Sequence, residues 1–155
     1  MEKMRKSDRQ MSDEKATKVL SDAVYGILST VGEDGYPYGI PVNFALVNNS
    51  LYFHCATEGK KLRNIDYNPK VSFVAVGENE VLAEQFSMHY ESVMAFGKVS
   101  EVTEVEEKVQ VLMLLVNKYS KTFEMPGEAY ARRAVDKTRI YQMEIEHMSG
   151  KERLK

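Results

Sequence analysis

The sequence predicts a mostly β fold with peripheral helices, built as a small antiparallel barrel of six strands. Three observations predict it. Six segments of strand length are rich in apolar and β-branched residues, and most are separated by short turns. Helical patterns fall between groups of strands instead of after each one. Only 51–76 reads as strand, helix, strand, so the rhythm of a doubly wound sheet is missing.

Each element has its local reason. Ser12 precedes a helical pattern over 13–23, with Ala16, Val19, Leu20 and Ala23 on one face and the serine oxygen placed to cap it. VYGILSTV (24–31) is the first strand, GEDG (32–35) a turn, and YPYGIPVNFALV (36–47) the returning second strand. Asn48 and Asn49 turn the chain into SLYFHC (50–55), the third. A helix opens near Lys60 and stops before Asn68-Pro69, because the residue preceding a proline is pushed out of the helical region. KVSFVAV (70–76) and ESVMAFGKVSEV (91–102) supply the fourth and fifth strands. Thr103 and Glu106 have capping-box spacing for a helix whose stripe of Val105, Val109, Leu112, Met113 and Val116 faces a core. The sixth strand, RIYQMEIE (139–146), alternates Tyr141, Met143 and Ile145 with Gln142, Glu144 and Glu146, the pattern of a half-exposed strand.

A chain of 155 residues suits one domain, expected to span 1–155 and to bury roughly two-thirds of its unfolded surface. The formal net charge of −2 gives no reason to expect nucleic acid or an anionic membrane as partner. No apolar run approaches a membrane span and MEKMRKSDRQ lacks a signal-peptide core, so a cytoplasmic location is expected. The single cysteine, Cys55, excludes an internal disulfide, and His54, His89 and His147 lack metal-ligand spacing, so no metal site is expected.

Two stretches are chemically unusual. Pro37 and Pro41 cannot donate to a β ladder, so their strand is an edge or is bulged there, and backbone groups around GIPVNF are left to meet something else. An irregular edge strand with no ligand satisfies the same residues. Second, Lys60 and Lys61 add positive charge where a helix N-terminus already presents it, an arrangement that suits an incoming phosphate. An ordinary solvated helix start is the plain alternative. Together, a distorted strand and an anion-ready loop suit a flat polar ring with a phosphate tail.

The run PYGIPVNFALVNNSLYFHCATEGKKLRNIDYNPKVSFVAV resembles the core of the pyridoxamine-phosphate-oxidase-like FMN-binding split barrels. MRKSDRQ, YESVMAFGKVSEV and IEHMSGKE make it most similar, within that superfamily, to the nitroimidazole-resistance flavoproteins. The resemblance implies a six-stranded split β-barrel and a homodimer with FMN at the subunit interface. Gly39, Ile40, Pro41, Val42, Asn43 and Phe44 would line the ring and ribityl chain, with His54 and Cys55 at the phosphate end or ring edge. Lys60 and Lys61 would bind the phosphate, while Tyr90 and Ser92 would approach from the partner subunit. Tyr90 and Tyr25 suit a dimer core equally well, and Cys55 suits a small buried hydrophobe.

The implied activity is oxidoreduction of a small electron-poor acceptor such as a nitroimidazole. That acceptor would stack beneath the first helix and the region 84–90, with His54 as candidate proton donor. The C-terminal SGKERLK, where Arg153 stands alone, lacks the arginine-rich segment that grips vitamin B6 phosphate in the oxidases proper, which argues against that substrate. Deazaflavin or haem could replace FMN. The alternative to an enzyme is a non-enzymatic flavin or haem carrier of the same fold, with a histidine or Met88 as axial ligand in the haem case.

Overall fold

The computed structural model describes residues 4–154; of Glu124 and Met125 it describes the backbone alone. Helix α1 (Asp13–Asp22) is followed by β1 (Gly26–Val31), β2 (Pro37–Val42), β3 (Ala45–Val47) and β4 (Ser50–Cys55). Then come α2 (Lys60–Tyr67), β5 (Lys70–Leu82), β6 (Ser87–Val102), α3 (Val105–Tyr119), α4 (Glu124–Ala134) and β7 (Arg139–Arg153). The strands form one antiparallel sheet in the order β2-β1-β5-β6-β7-β4-β3.

The strands number seven, not six, because the expected second strand divides. Its first half pairs with β1 at one edge of the sheet, and its second half pairs with β4 at the other. Only Asn43 and Phe44 join them, and three Cα steps reach at most ~11 Å. The sheet therefore curls until its edges nearly meet without pairing, which makes a split barrel. Pro37 and Pro41 lie on the edge strand β2, where a missing N–H costs no ladder bond.

The barrel is filled from inward-facing positions. Leu28, Phe44, Leu51, Phe53, Phe73, Tyr141 and Met143 are buried, with α1 adding Ala16, Val19 and Leu20. Phe44 meets Phe73 edge-on at 4.8 Å, and Phe53 stacks on Tyr141 at 5.7 Å. Ser12 caps α1 as expected, its Oγ accepting from the Lys15 N–H at 3.2 Å. At Gly97, where β6 shifts register against β7, a Cβ would stand 1.9 Å from the Glu144 carbonyl oxygen, so only glycine fits.

Three further expectations are corrected. The cap position of α3 falls to Glu104, which makes no side-chain capping bond, so the Thr103–Glu106 box is not the start of the helix. The buried face of α3 is Val109, Val111, Leu112 and Leu115, while Val105 is 54% exposed. The stripe is rotated because α4, which carries no clear apolar period, covers it; Gly127 passes so close that a Cβ there would meet Val116 Cγ1 at 2.5 Å. Finally, β5 runs on to Leu82, β6 starts at Ser87 and β7 reaches Arg153, forming an arm beyond the expected strand ends. The polar stretch GENE hides this extension, since its register is held by backbone pairing and not by apolar alternation.

Candidate functional site

Three elements converge where the two edges of the sheet approach. The first is β2, whose outer edge has no strand neighbour and so keeps half its backbone groups unpaired. Along it, Gly39 and Pro41 are exposed, whereas Val42 is buried, Ile40 packs on the core and Phe44 lies wholly inside. Of the run 39–44, then, the structure turns Gly39, Pro41 and Asn43 outward and commits the other three side chains to packing.

The crossing from β2 to β3 is pinned by a residue the sequence reading did not single out. The Tyr119 hydroxyl, just at the end of α3, accepts from the Phe44 N–H at 3.0 Å. Its one proton goes to the Val24 carbonyl at 2.8 Å or the Phe44 carbonyl at 2.9 Å. Asn43 Nδ2 donates to the same Val24 carbonyl at 3.1 Å. Beside them the Lys118 ammonium lies 4.0 Å from the Phe44 ring centre, buried without a hydrogen-bond partner, and burial lowers its pKa.

The second element is β4. His54 points away from the barrel into a pocket of about 290 Å³. Asn43 shares that pocket, which is walled by Leu112, Leu115 and Val116 of α3, with Tyr119 and Tyr130. His54 keeps solvent contact along one side, yet its imidazole pKa is lowered, first by burial and then by the Lys61 charge. At neutral pH it is therefore an uncharged donor and acceptor. Cys55 is half-buried against the core, and burial raises its thiol pKa despite the nearby Lys61 and Arg139, so it stays protonated and unreactive.

The third element is the head of α2. Gly59 holds φ 141°, in the region that favours glycine, and a Cβ there would touch nothing. No side chain caps this helix and its first turn carries no acid; the Leu62 N–H turns back to the Gly59 carbonyl at 3.1 Å, and the amides ahead of it have no side-chain acceptor. The two lysines diverge. Lys60 Nζ pairs with Asp34 at 2.7 Å, toward the β1–β2 turn and the Tyr38 ring. Lys61 turns toward β4, 5.7 Å from the Phe53 ring centre, and forms no ion pair among the described residues. Sequence spacing could have signalled this split, because adjacent helical residues sit about 100° apart.

Tyr90 and Ser92 lie elsewhere in the protomer. Both are on β6, separated from β2 by β5 and β1. The Tyr90 hydroxyl accepts from Arg9 at 3.4 Å, which lowers its pKa, and Ser92 Oγ donates to the Lys151 carbonyl at 3.5 Å. Val76 and Met94 are exposed apolar side chains on the same sheet, at 56 and 43%, and Tyr25, just before β1, is 58% exposed. Among the described residues no group of three or more His, Cys, Asp or Glu could hold a metal, and no helix is long and apolar enough to cross a membrane.

This geometry has counterparts. The sequence profile of the pyridoxamine 5'-phosphate oxidase family matches residues 12–152. The chain belongs to that family. A candidate 5-nitroimidazole antibiotic resistance protein from Bacteroides thetaiotaomicron superposes with a TM-score of 0.79 at 25% identity, covering 92% of this chain and 85% of that one. The flavocytochrome Anf3 from Azotobacter vinelandii gives 0.78 at 18% identity, over 99% and 73% of the two chains. A FAD and haem binding protein from Mycobacterium smegmatis gives 0.75 at 20%, over 93% and 73%. No curated protein matches at this level.

The site has the features that a phosphorylated flat ring requires. An unpaired strand edge offers hydrogen bonds in a line, and an uncapped helix head offers N–H groups beside an unpaired ammonium.

Proposed function

We propose that this chain is a homodimeric FMN-binding flavoprotein that reduces a small, flat, electron-poor acceptor of the nitroaromatic kind. The observation that carries the reading is the placement of unpaired Lys61, neutral His54 and the free edge of β2 around one junction. In this reading Lys61 and the α2 amides bind the phosphate, and outward backbone groups of β2 hold the ring edge. The acceptor, expected beneath the first helix and residues 84–90, is placed here instead in the His54 pocket, which neither of those segments lines in the protomer; Leu112, Leu115 and Val116 keep water from it, and His54 orients it by a hydrogen bond. The chemistry supplied by a bound flavin is two-electron reduction of the acceptor.

Further observations support it. The described lining of the His54 pocket contains no lysine or arginine, which suits an uncharged acceptor better than a vitamin B6 phosphate. The exposed apolar residues Tyr25, Val76 and Met94 supply a face for a second protomer, which would bring its Tyr90 and Ser92 to this site. A single protonated Cys55 suits the cytoplasm. Among similar structures are a flavocytochrome and a FAD and haem binding protein, so flavin and haem are the ligand classes to separate.

The test is a visible absorption spectrum of the purified protein, with mass spectrometry of the ligand released by heat. Flavin bands with released FMN are expected. A haem band makes the chain a haem carrier, and a protein that stays colourless after FMN is added overturns the reading.

A further inference from the structure

Besides the junction, α2 borders a second cavity that the flavoprotein reading leaves unused. A groove of about 550 Å³ runs between α2 and the β1–β2 turn, lined by Glu33, Asp34, Lys60, Arg63, Asn64 and Tyr67. The four helical residues follow i, i+3, i+4 and i+7 spacing, so they share one face. A rise of 1.5 Å per residue puts Arg63 ~4.5 Å and Tyr67 ~10.5 Å along the axis from Lys60. Cation, cation and aromatic ring are thus set out in a line.

The groove is held rigid from beneath. Asn64 is buried and its Nδ2 donates to Thr30 Oγ1 at 3.0 Å, tying α2 to β1. Its Oδ1 lies so near Gly32 that a Cβ there would come within 2.2 Å, so helix and turn are in close contact. Above this floor Asp34 is committed to Lys60, and the other functional groups are not paired with it. Arg63 and Glu33 form no ion pair among the described residues, and the Tyr67 ring is 62% exposed. Lys60 gives one N–H to Asp34 and retains two more.

We infer that this groove is a subsite for a nucleoside phosphate, the adenylate half of a dinucleotide. Arg63 and the remaining Lys60 donors take the phosphate, Glu33 accepts from the ribose diol, and the base stacks on Tyr67. The groove shares α2 with the candidate flavin-phosphate position at Lys61, so FAD can engage both, or a second dinucleotide can dock beside bound FMN. The identity of that dinucleotide rests on the flavoprotein reading: it is either FAD itself or the reduced nicotinamide dinucleotide that donates electrons.

Calorimetric titration of the purified chain with 5'-AMP, with and without FMN, tests the subsite. AMP is expected to bind in both cases. Arg63→Gln and Tyr67→Ala should each weaken AMP about tenfold while FMN affinity stays within about twofold. Failure of AMP to bind, equal binding by both variants, or displacement of AMP by FMN overturns the subsite. The sources separate in the same variants: weakened FAD assigns the groove to the flavin's own adenylate, and a raised KM for the reduced nicotinamide dinucleotide assigns it to the donor. A chain that binds AMP but no flavin supports the subsite and overturns the flavoprotein reading; the reverse result overturns the subsite alone.

Discussion

The His54 junction and the β5–β6–β7 arm are opposite cases within one protomer. At the junction α3 and α4 wall the site, Tyr119 pins the crossing, and Asn43 is tied to the Val24 carbonyl. On the arm, Val81 and Met88 pair across strands yet stay 71% and 41% exposed, and Phe86 at the turn is 99% exposed. Phe86 also holds φ 47°, a left-handed conformation that a bulky residue adopts at a cost. The contrast teaches that one chain finishes the wall of its His54 pocket but leaves its arm without a cover. Apolar surface of this kind finds its cover in a second copy under the homodimer reading.

The largest effect is expected from attacking the exposed side. Val76→Glu with Met94→Glu places charges on the outer sheet face at side chains that are 56% and 43% exposed, so the protomer fold tolerates them. Sedimentation should show the protomer mass and loss of flavin. A dimer that persists with flavin bound would erase the contrast between the two regions.

Charge removal at the junction should act next most strongly. Lys61→Ala is expected to weaken FMN roughly 10- to 100-fold and Lys60→Ala by about threefold or less, because only Lys61 lacks a carboxylate partner. Riboflavin, which has no phosphate, should respond to neither. Equal loss of FMN in both variants would mean that Lys60 leaves Asp34 on binding.

The smallest effect sharpens the junction side alone. Lys118→Met removes a buried ammonium without a hydrogen-bond partner and should raise the melting temperature by about 2–4 °C at pH 7. The sign follows from the lowered pKa: the unfolded chain holds this proton more tightly, so the native protein gains stability as pH rises toward the ordinary lysine value of 10.5. The advantage of the variant should therefore shrink over that range. A constant difference at all pH values would assign the effect to packing.

Much of this was legible from residues alone. Pro37 and Pro41 marked an edge strand, Asn68-Pro69 ended α2, and alternation located β7, since each rests on backbone chemistry within a few residues. The second strand was legible only as apolar sequence. That its halves join opposite edges of the sheet depends on how far the whole sheet curls, which no local pattern records. The two lysines stand together in the sequence, but helical phase sends Lys60 to Asp34, 26 residues away, and Lys61 to β4. The wall of the His54 pocket was hidden for the same reason. Leu112 and Val116 read as core by their spacing, and only the docking of α3 against β4 and the β2–β3 crossing turns part of that helix into the side of a site. Periodicity thus determined which residues are apolar together, and the tertiary structure decided what they face.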